Sequence, residues 1–418
     1  MAALACGRQR RRYVRVRVCA APDRQVVMKI GVNLLPLRPR VMGGAERYFR
    51  DLVAEVLAGG EHDVLMVMDG ERGDTGLPEG RRCHCIRLRT TTLEPVRRTL
   101  ARVRRLAGRC DDWALAQIIR REGVDLWFCP FTDLQPRAPG VPSVVTVHDL
   151  QHEYYPEFFS ARELRHRRRY LPASCAAADH IIAVSEFTRR TVIDRLGVDP
   201  ARITTIWEGP GCDVDWAGAA ARVTEVRRRY ELPQRYAFYP ANPWLHKNHV
   251  RLLEAVALCR ARGIRDFGLV LTGEESMASG RLEALAERLG LREIVRMLGY
   301  VPRCDLPALY AGAVCLVHPS LFEGFGIPVV EAMHVGCPII AADGTGLSEV
   351  VGDAALLFDP LDVHAIARAL EAVVGSDRCA LELARRARAR GTLFSASAMA
   401  RQTLDLFERV REATLLGR

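Results

Sequence analysis

Short apolar runs rich in β-branched residues alternate with segments of helical spacing along this chain, and the alternation starts afresh after Pro233. In the first half the runs are residues 28–35, 62–68, 124–129, 143–147 and 180–184. Gly43-Gly44 precede a helical pattern of Ala45, Tyr48, Phe49, Leu52, Val53 and Val56. In the second half the runs are 236–239, 269–271, 295–298, 314–318, 338–341 and 355–358. Helical segments at 250–262, 281–289, 306–311, 328–334 and 363–374 separate them. Strands divided by helices form parallel sheets with crossovers. The expected fold class is therefore α/β, with two doubly wound, Rossmann-like parallel-sheet domains facing across a cleft. The expected division is a leader at 1–27, an N-terminal domain at 28–212, a linker at 213–233 and a C-terminal domain at 234–394. Residues 395–416 are placed to return as a last helix onto the first domain. Ligands of such sheets bind beyond the carboxyl ends of the strands, which puts the expected site in the cleft.

The chain has 418 residues, 49% of them apolar, enough for two or three packed cores and too many for a disordered protein. No charge-free apolar stretch approaches the ~20 residues of a spanning helix. The net charge of +10 invites a polyanionic partner, but its distribution argues against one. Residues 1–27 hold seven Arg against one Asp, whereas residues 301–350 hold one Arg against five acids. A basic nucleic-acid-binding protein is disfavoured, and nucleic acid is not an expected partner. Arg15 and Arg17 break up the apolar residues of the leader, so it reads as a disordered tail or an upstream-start extension ahead of Met28; a transit peptide is the alternative.

Thirteen cysteines, an odd number scattered through a long chain, fit reduced thiols in the cytoplasm. Cys83-His84-Cys85 is the one tight cluster and lacks a second ligand pair at zinc spacing, so no metal is expected. Residues 97–109 carry Leu100, Val103, Leu106 and Ala107 on one helical face, with six arginines around it. That pattern fits peripheral contact with an anionic membrane at its inner surface, or an ordinary solvated helix.

Four segments carry chemistry. In residues 319–331, Glu323 and Glu331 bracket a turn containing Gly324, Phe325, Gly326 and Ile327, with Pro328 suited to the first turn of a helix. A strand, a glycine turn and a helix start offer free N–H groups and a positive dipole end, which suits a diphosphate. Glu323 in the turn, and Glu331 on the first helical turn, would accept hydrogen bonds from hydroxyls. Residues 242–249 follow a strand and contain Lys247, one of two lysines among 60 basic residues; its ammonium is a point charge suited to phosphate oxygens. Gly43-Gly44 form a second strand-to-helix turn of anion-binding type. His148 follows the strand 143–147 and would stand at a strand's carboxyl end. Ser185 reads as a helix cap.

Together, Gly43-Gly44, His148-Asp149-Leu150 with residues 154–159, Ser185-Glu186-Phe187, His246-Lys247-Asn248, residues 299–310, Glu323 to Glu331, and residues 346–353 resemble the retaining glycosyltransferases of the group-1 class, glycosyltransferase family 4, which have the GT-B fold. The resemblance runs through residues 28–375 in order. It implies transfer of a hexose from a nucleotide-diphosphate sugar to a glycan, lipid-linked or small-molecule acceptor, with retention and with neither metal nor other cofactor. Residues 148–159 favour mannose or a 6-deoxyhexose. In the roles the resemblance implies, Glu323 and His148 hold the donor sugar, and Glu331 holds the ribose. Lys247 and the backbone of Gly324, Phe325, Gly326 and Ile327 stabilise the leaving diphosphate. The Gly43-Gly44 loop approaches the diphosphate from the first, acceptor-side domain, and the Val301 backbone lies near the base. One departure stands out: many members carry an Arg six residues before the lysine, where this chain has Ala241, so His246, His249 or a distant Arg would have to replace that cation. A nucleotide-sugar epimerase on the same fold is the alternative activity.

Overall fold

The computed structural model describes residues 14–16, 27–39, 42–69, 82–88, 110–135, 137–138, 140–211, 213–274 and 277–416. The arginine-rich segment at 97–109 and most of the leader lie outside the described residues. The chain forms two compact units, one of Met1–Thr146, Tyr170–Ile182 and Thr403–Arg418, the other of Val147–Arg169 and Ala183–Gln402.

In the first unit the strands β1 (Val14–Val16), β2 (Lys29–Asn33), β3 (Asp63–Asp69), β4 (Cys83–Leu88), β5 (Leu126–Cys129), β6 (Ser143–Val147) and β7 (His180–Ala183) lie in the order β1-β4-β3-β2-β5-β6-β7. β2 runs parallel to β3 and β5, β3 to β4, and β5 to β6, whereas β1 lies antiparallel to β4. Leu126 to Cys129 and Ser143 to Val147 are buried without interruption, as strands covered on both faces must be. Phe407, from the last helix Ala396–Leu416, packs on Phe128 at 5.1 Å between ring centroids. Sequence reasoning missed β4, because its Cys83-His84-Cys85 start reads as a ligand cluster. In a strand those side chains alternate between faces and do not converge.

The second unit holds β8 (Ile203–Thr205) and a parallel sheet of β9 (Tyr236–Pro240), β10 (Gly268–Thr272), β11 (Val295–Met297), β12 (Cys315–His318), β13 (Ile339–Ala342) and β14 (Ala355–Phe358). The six lie in the order β11-β10-β9-β12-β13-β14, with every neighbouring pair parallel. The switch from β11-β10-β9 to β12-β13-β14 falls between β9 and β12, so the loops after these two strands lie side by side. This is the topological position where open α/β sheets bind ligands.

Two boundaries differ from expectation. Residues 147–169 and 183–212, expected in the first domain, belong to the second unit. The stretch expected as a linker contains a 3₁₀ turn, Ala219–Arg222, and a helix, Val223–Arg229. Arg222, Arg229 and Tyr230 all donate to the fully buried carboxylate of Asp305 at 2.7–2.8 Å, which fastens this stretch to the 3₁₀ turn Arg303–Asp305 of the domain it was expected merely to precede.

Candidate active site

The loop after β9 turns through a 3₁₀ segment, Leu245–Lys247, and ends on Asn248 at φ 60°, a left-handed conformation that asparagine tolerates better than most residues. Asn248 then donates through Nδ2 to the carbonyls of Pro319 and Pro360, at 3.0 and 2.8 Å. The Lys247 carbonyl accepts from Tyr239 Oη at 3.0 Å, and the His246 carbonyl accepts from the Leu321 amide at 2.7 Å. Side-chain and backbone bonds thus sew the loop after β9 to the loop after β12. The result is a direct pair: Lys247 Nζ donates to Glu323 Oε1 at 2.5 Å, with both side chains largely sheltered.

The electrostatics of this pair follow from its surroundings. Burial alone would push the Glu323 carboxyl up, but Lys247, with His318 and His246, overrides burial and holds it at about 2. His318 Nε2 lies 3.8 Å from Glu323 Oε1. Burial lowers His246 and His318 to about 4 and His249 to about 3. At neutral pH these imidazoles are uncharged, so neither His246 nor His249 replaces the cation missing at Ala241. Among the described residues of this cluster, Lys247 is the fixed cation, paired with the Glu323 carboxylate.

The glycine turn is held by backbone contacts. Gly326 sits at φ 101° and precedes the helix Ile327–Val335, while Ser185 Oγ donates to the Gly324 carbonyl at 2.5 Å. A Cβ on Gly324 would fall 1.8 Å from the His148 carbonyl oxygen, and one on Gly346 would fall 2.1 Å from the Gly324 oxygen. The Gly346 amide donates to the Glu323 carbonyl at 3.0 Å. Ser185 also caps the helix Glu186–Leu196 by accepting from the Thr188 amide, as its position after an apolar run suggests.

His148, Gly324, Phe325, Gly326, Ile327, Glu323 and Lys247 therefore share one unit, with the His148 carbonyl against the turn. The His148 ring pairs through Nδ1 with Glu208 Oε1 at 3.4 Å. Phe325 and Ile327 are buried, leaving the backbone as the part of those residues available to a ligand. Glu331 is the fifth residue of its helix rather than part of the first turn, because the positive φ of Gly326 lets the helix begin at Ile327. Its carboxylate is buried and accepts from Tyr310 Oη at 2.6 Å. Val301 is buried just after Gly299, which has φ 65°. Gly43 lies in the other unit, at φ 57°, directly before the helix Gly44–Gly59. A cavity of about 340 Å³ in the second unit is lined by Glu186, Trp207, Glu349 and Met399, among others, but by none of the expected site residues.

Sequence reasoning missed Glu208, and took in Glu349 only as part of residues 346–353, with no role of its own. Glu349 accepts from the Glu186 and Phe187 amides at 2.9 and 2.8 Å, and from Trp207 Nε1 at 2.9 Å, so one carboxylate satisfies the start of the helix that carries Ser185. Its partners lie more than 140 residues away, and no local pattern signals them.

Two family models match the chain: Glycosyltransferase Family 4 over residues 42–215 and Glycosyl transferases group 1 over residues 225–392. The chain is 31% identical to the MMP alpha-(1->4)-mannosyltransferase of Mycolicibacterium hassiacum over 329 residues, 76% of this chain and 75% of that protein. It belongs to glycosyltransferase family 4, group 1. Among the relatives of this family 4 chain is the O-antigen chain mannosyltransferase B of Escherichia coli, 38% identical over 227 residues. That match takes in 54% of this chain and 59% of the relative's length. The fold of the family 4 chain, two parallel-sheet α/β units of GT-B type, also matches a solved structure of Anabaena Alr3699/HepE in complex with UDP and glucose. The TM-score is 0.68 at 19% identity, covering 91% of this chain and 100% of that one. Among the described residues no helix is long and apolar enough to cross a membrane.

Proposed function

We propose that this chain transfers a hexose, with mannose the leading candidate, from a nucleotide-diphosphate sugar to a hydroxyl of a glycan, lipid-linked or small-molecule acceptor. The observation that carries the reading is the Lys247–Glu323 pair set beside the Gly324–Gly326 turn. An ammonium has three donors, and the bond to Glu323 uses one, leaving two for phosphate oxygens. The dipole end of the helix Ile327–Val335 adds positive potential beside it. Glu323, ionised at any physiological pH, accepts from sugar hydroxyls.

The reaction breaks the bond from the anomeric carbon to the diphosphate and forms one to the acceptor oxygen. Negative charge grows on the departing diphosphate, where Lys247 and the turn amides are already fixed, and donors placed in advance lower the barrier. Retention follows if the acceptor attacks from the face the diphosphate leaves, its proton passing to a leaving phosphate oxygen. Lys247 supplies the charge that a divalent cation would otherwise bring, so activity is expected to survive EDTA. The mannosyltransferase relatives support mannose as the donor sugar.

The test is a panel of GDP-mannose, GDP-fucose and UDP-glucose, read by thermal shift and by transfer. A ligand at 100 times its Kd stabilises by about 2.7 kcal/mol, which is readily seen. Stabilisation and transfer with one donor, with product of unchanged anomeric configuration, is the expected result. Acceptor-free isomerisation of the donor would replace transferase by epimerase, and indifference to all three would remove the hexose-donor reading.

A further inference from the structure

The cavity of about 340 Å³ in the second unit has a chemistry of its own. Its volume lies within the range of small-molecule sites, about 300–1,000 Å³. The Trp207 indole lines it, held in place by the Nε1 bond to Glu349 at 2.9 Å and by the Phe394 ring, 5.3 Å away between centroids. Leu393 and Met399 extend the apolar lining, while Glu186, Glu349 and Gln402 supply polar atoms. The charges of the two carboxylates are already answered. Glu186 pairs with Arg189 at 3.0 Å and accepts from Thr205 Oγ1 at 3.0 Å. Glu349 accepts from two main-chain amides at a helix start and from the indole. A carboxylate has about four acceptor positions, so each retains room for a further donor.

We propose that this cavity is a saccharide-binding site, separate from the site of transfer. A pyranose carries hydroxyls around its edge and C–H bonds on its faces. The C–H bonds are weakly positive and settle on the negative face of an indole. The hydroxyls donate to carboxylates, and with a primary amide such as that of Gln402 they both donate and accept. Trp207, Glu186, Glu349 and Gln402 bring that set of groups to one cavity, with the indole fixed before a ligand arrives. An organic cation is a poorer fit, because Arg189 and Arg190 stand 3.0 and 3.7 Å from Glu186 and already answer its charge. A purely aliphatic ligand would seal the carboxylates from water without giving them a donor. The inference does not depend on the reaction proposed above, since Lys247, Glu323, Glu331 and His148 are not among the residues that line the cavity.

The test is direct binding to the full chain carrying Glu323→Ala, or Glu323→Gln should that variant not fold, so that the carboxylate proposed to face sugar at the transfer site is absent. Methyl α-mannoside, methyl α-glucoside and methyl α-rhamnoside are the probes, read by saturation-transfer NMR and calorimetry. At least one is expected to bind with a Kd of about 1–10 mM. Gln402 is exposed on the helix Ala396–Leu416, and Gln402→Ala is expected to weaken binding at least ~5-fold without moving the melting temperature. Trp207→Leu is expected to weaken it at least ~10-fold; Leu393→Asp, at an exposed position, replaces it if Trp207→Leu does not fold. No saccharide binding up to about 50 mM, or binding that none of these substitutions weakens, overturns the proposal. Binding of n-butylammonium in preference to every saccharide overturns it as well. Protein that binds saccharide here but is inert toward every nucleotide sugar would sink the transferase reading alone.

Discussion

Ser185 Oγ and the Gly324 carbonyl oxygen meet at 2.5 Å although 139 residues separate them in sequence. The same hydroxyl accepts from the Thr188 amide, so one side chain finishes the helix Glu186–Leu196 and fixes the turn beside Glu323. Ser185→Ala removes both bonds. The expected cost is about 1–2 kcal/mol of stability, read as a lower urea midpoint, with Ser185→Thr retaining most of it. An unchanged midpoint in Ser185→Ala would mean that the bond contributes nothing net.

Gly324 itself has no room to change. A methyl group there collides with the His148 carbonyl at 1.8 Å, and the obstacle is backbone rather than a flexible side-chain tip. Gly324→Ala is expected to displace either the turn or the segment at His148 and to lower kcat/KM by more than ~100-fold. Protein that still melts cooperatively but binds GDP or UDP weakly by thermal shift is the expected phenotype; full turnover would show that the turn yields without consequence.

Lys247→Ala and Glu323→Ala are each expected to lower kcat/KM at least ~100-fold, about 3 kcal/mol of transition-state stabilisation. Near wild-type turnover in either would remove that residue from the mechanism. The pair also has a pH signature. The folded carboxyl sits at about 2, below its ordinary value of 4.5. The stability that the pair contributes is therefore complete above pH 4.5 and lost as pH falls toward 2. The difference in melting temperature between wild type and Glu323→Gln should hold from pH 8 to 5 and shrink below 4.5.

The buried imidazoles set a second, earlier window. His246, His249 and His318 sit at about 4, 3 and 4 when folded, against 6.5 in an unfolded chain, because burial disfavours their charged forms. Between pH 6.5 and 4 the unfolded chain binds protons that the folded chain refuses, so stability falls as pH falls through that range. Each imidazole contributes up to about 1.4 kcal/mol per pH unit. Urea midpoints at pH 7.5, 6 and 5 should decline steadily; a flat profile to pH 5 would contradict the burial of these rings.

What could be read from sequence was what depends on neighbours in sequence. Apolar runs such as 143–147 and 355–358 became the strands β6 and β14 with the same bounds; for β6 the reason is continuous burial on both faces of a parallel sheet, which leaves a continuous apolar run. Lys247 was visible because arginine is the default cation of this chain. Ser185 was visible as a cap because capping is local. Glu208, and the role of Glu349, were invisible for the opposite reason: their meaning lies in partners 60 to 163 residues away, which no local pattern signals. The helix Val223–Arg229 was lost inside an expected linker because its arginines, one of which, Arg229, binds Asp305, read as solvated charge.

The turn at Gly324 is a joint between main chains: the His148 carbonyl on one side, Gly346 on the other, and the Ser185 hydroxyl on its oxygen. Main-chain atoms are the same in every protein, so in the proposed reaction this joint would grip a diphosphate yet be blind to which sugar the diphosphate bears. Under that proposal, choice among donors would be left to side chains that reach past it, such as the His148 imidazole. A change of donor preference by mutation is therefore to be sought in the walls around the turn and not in its glycines.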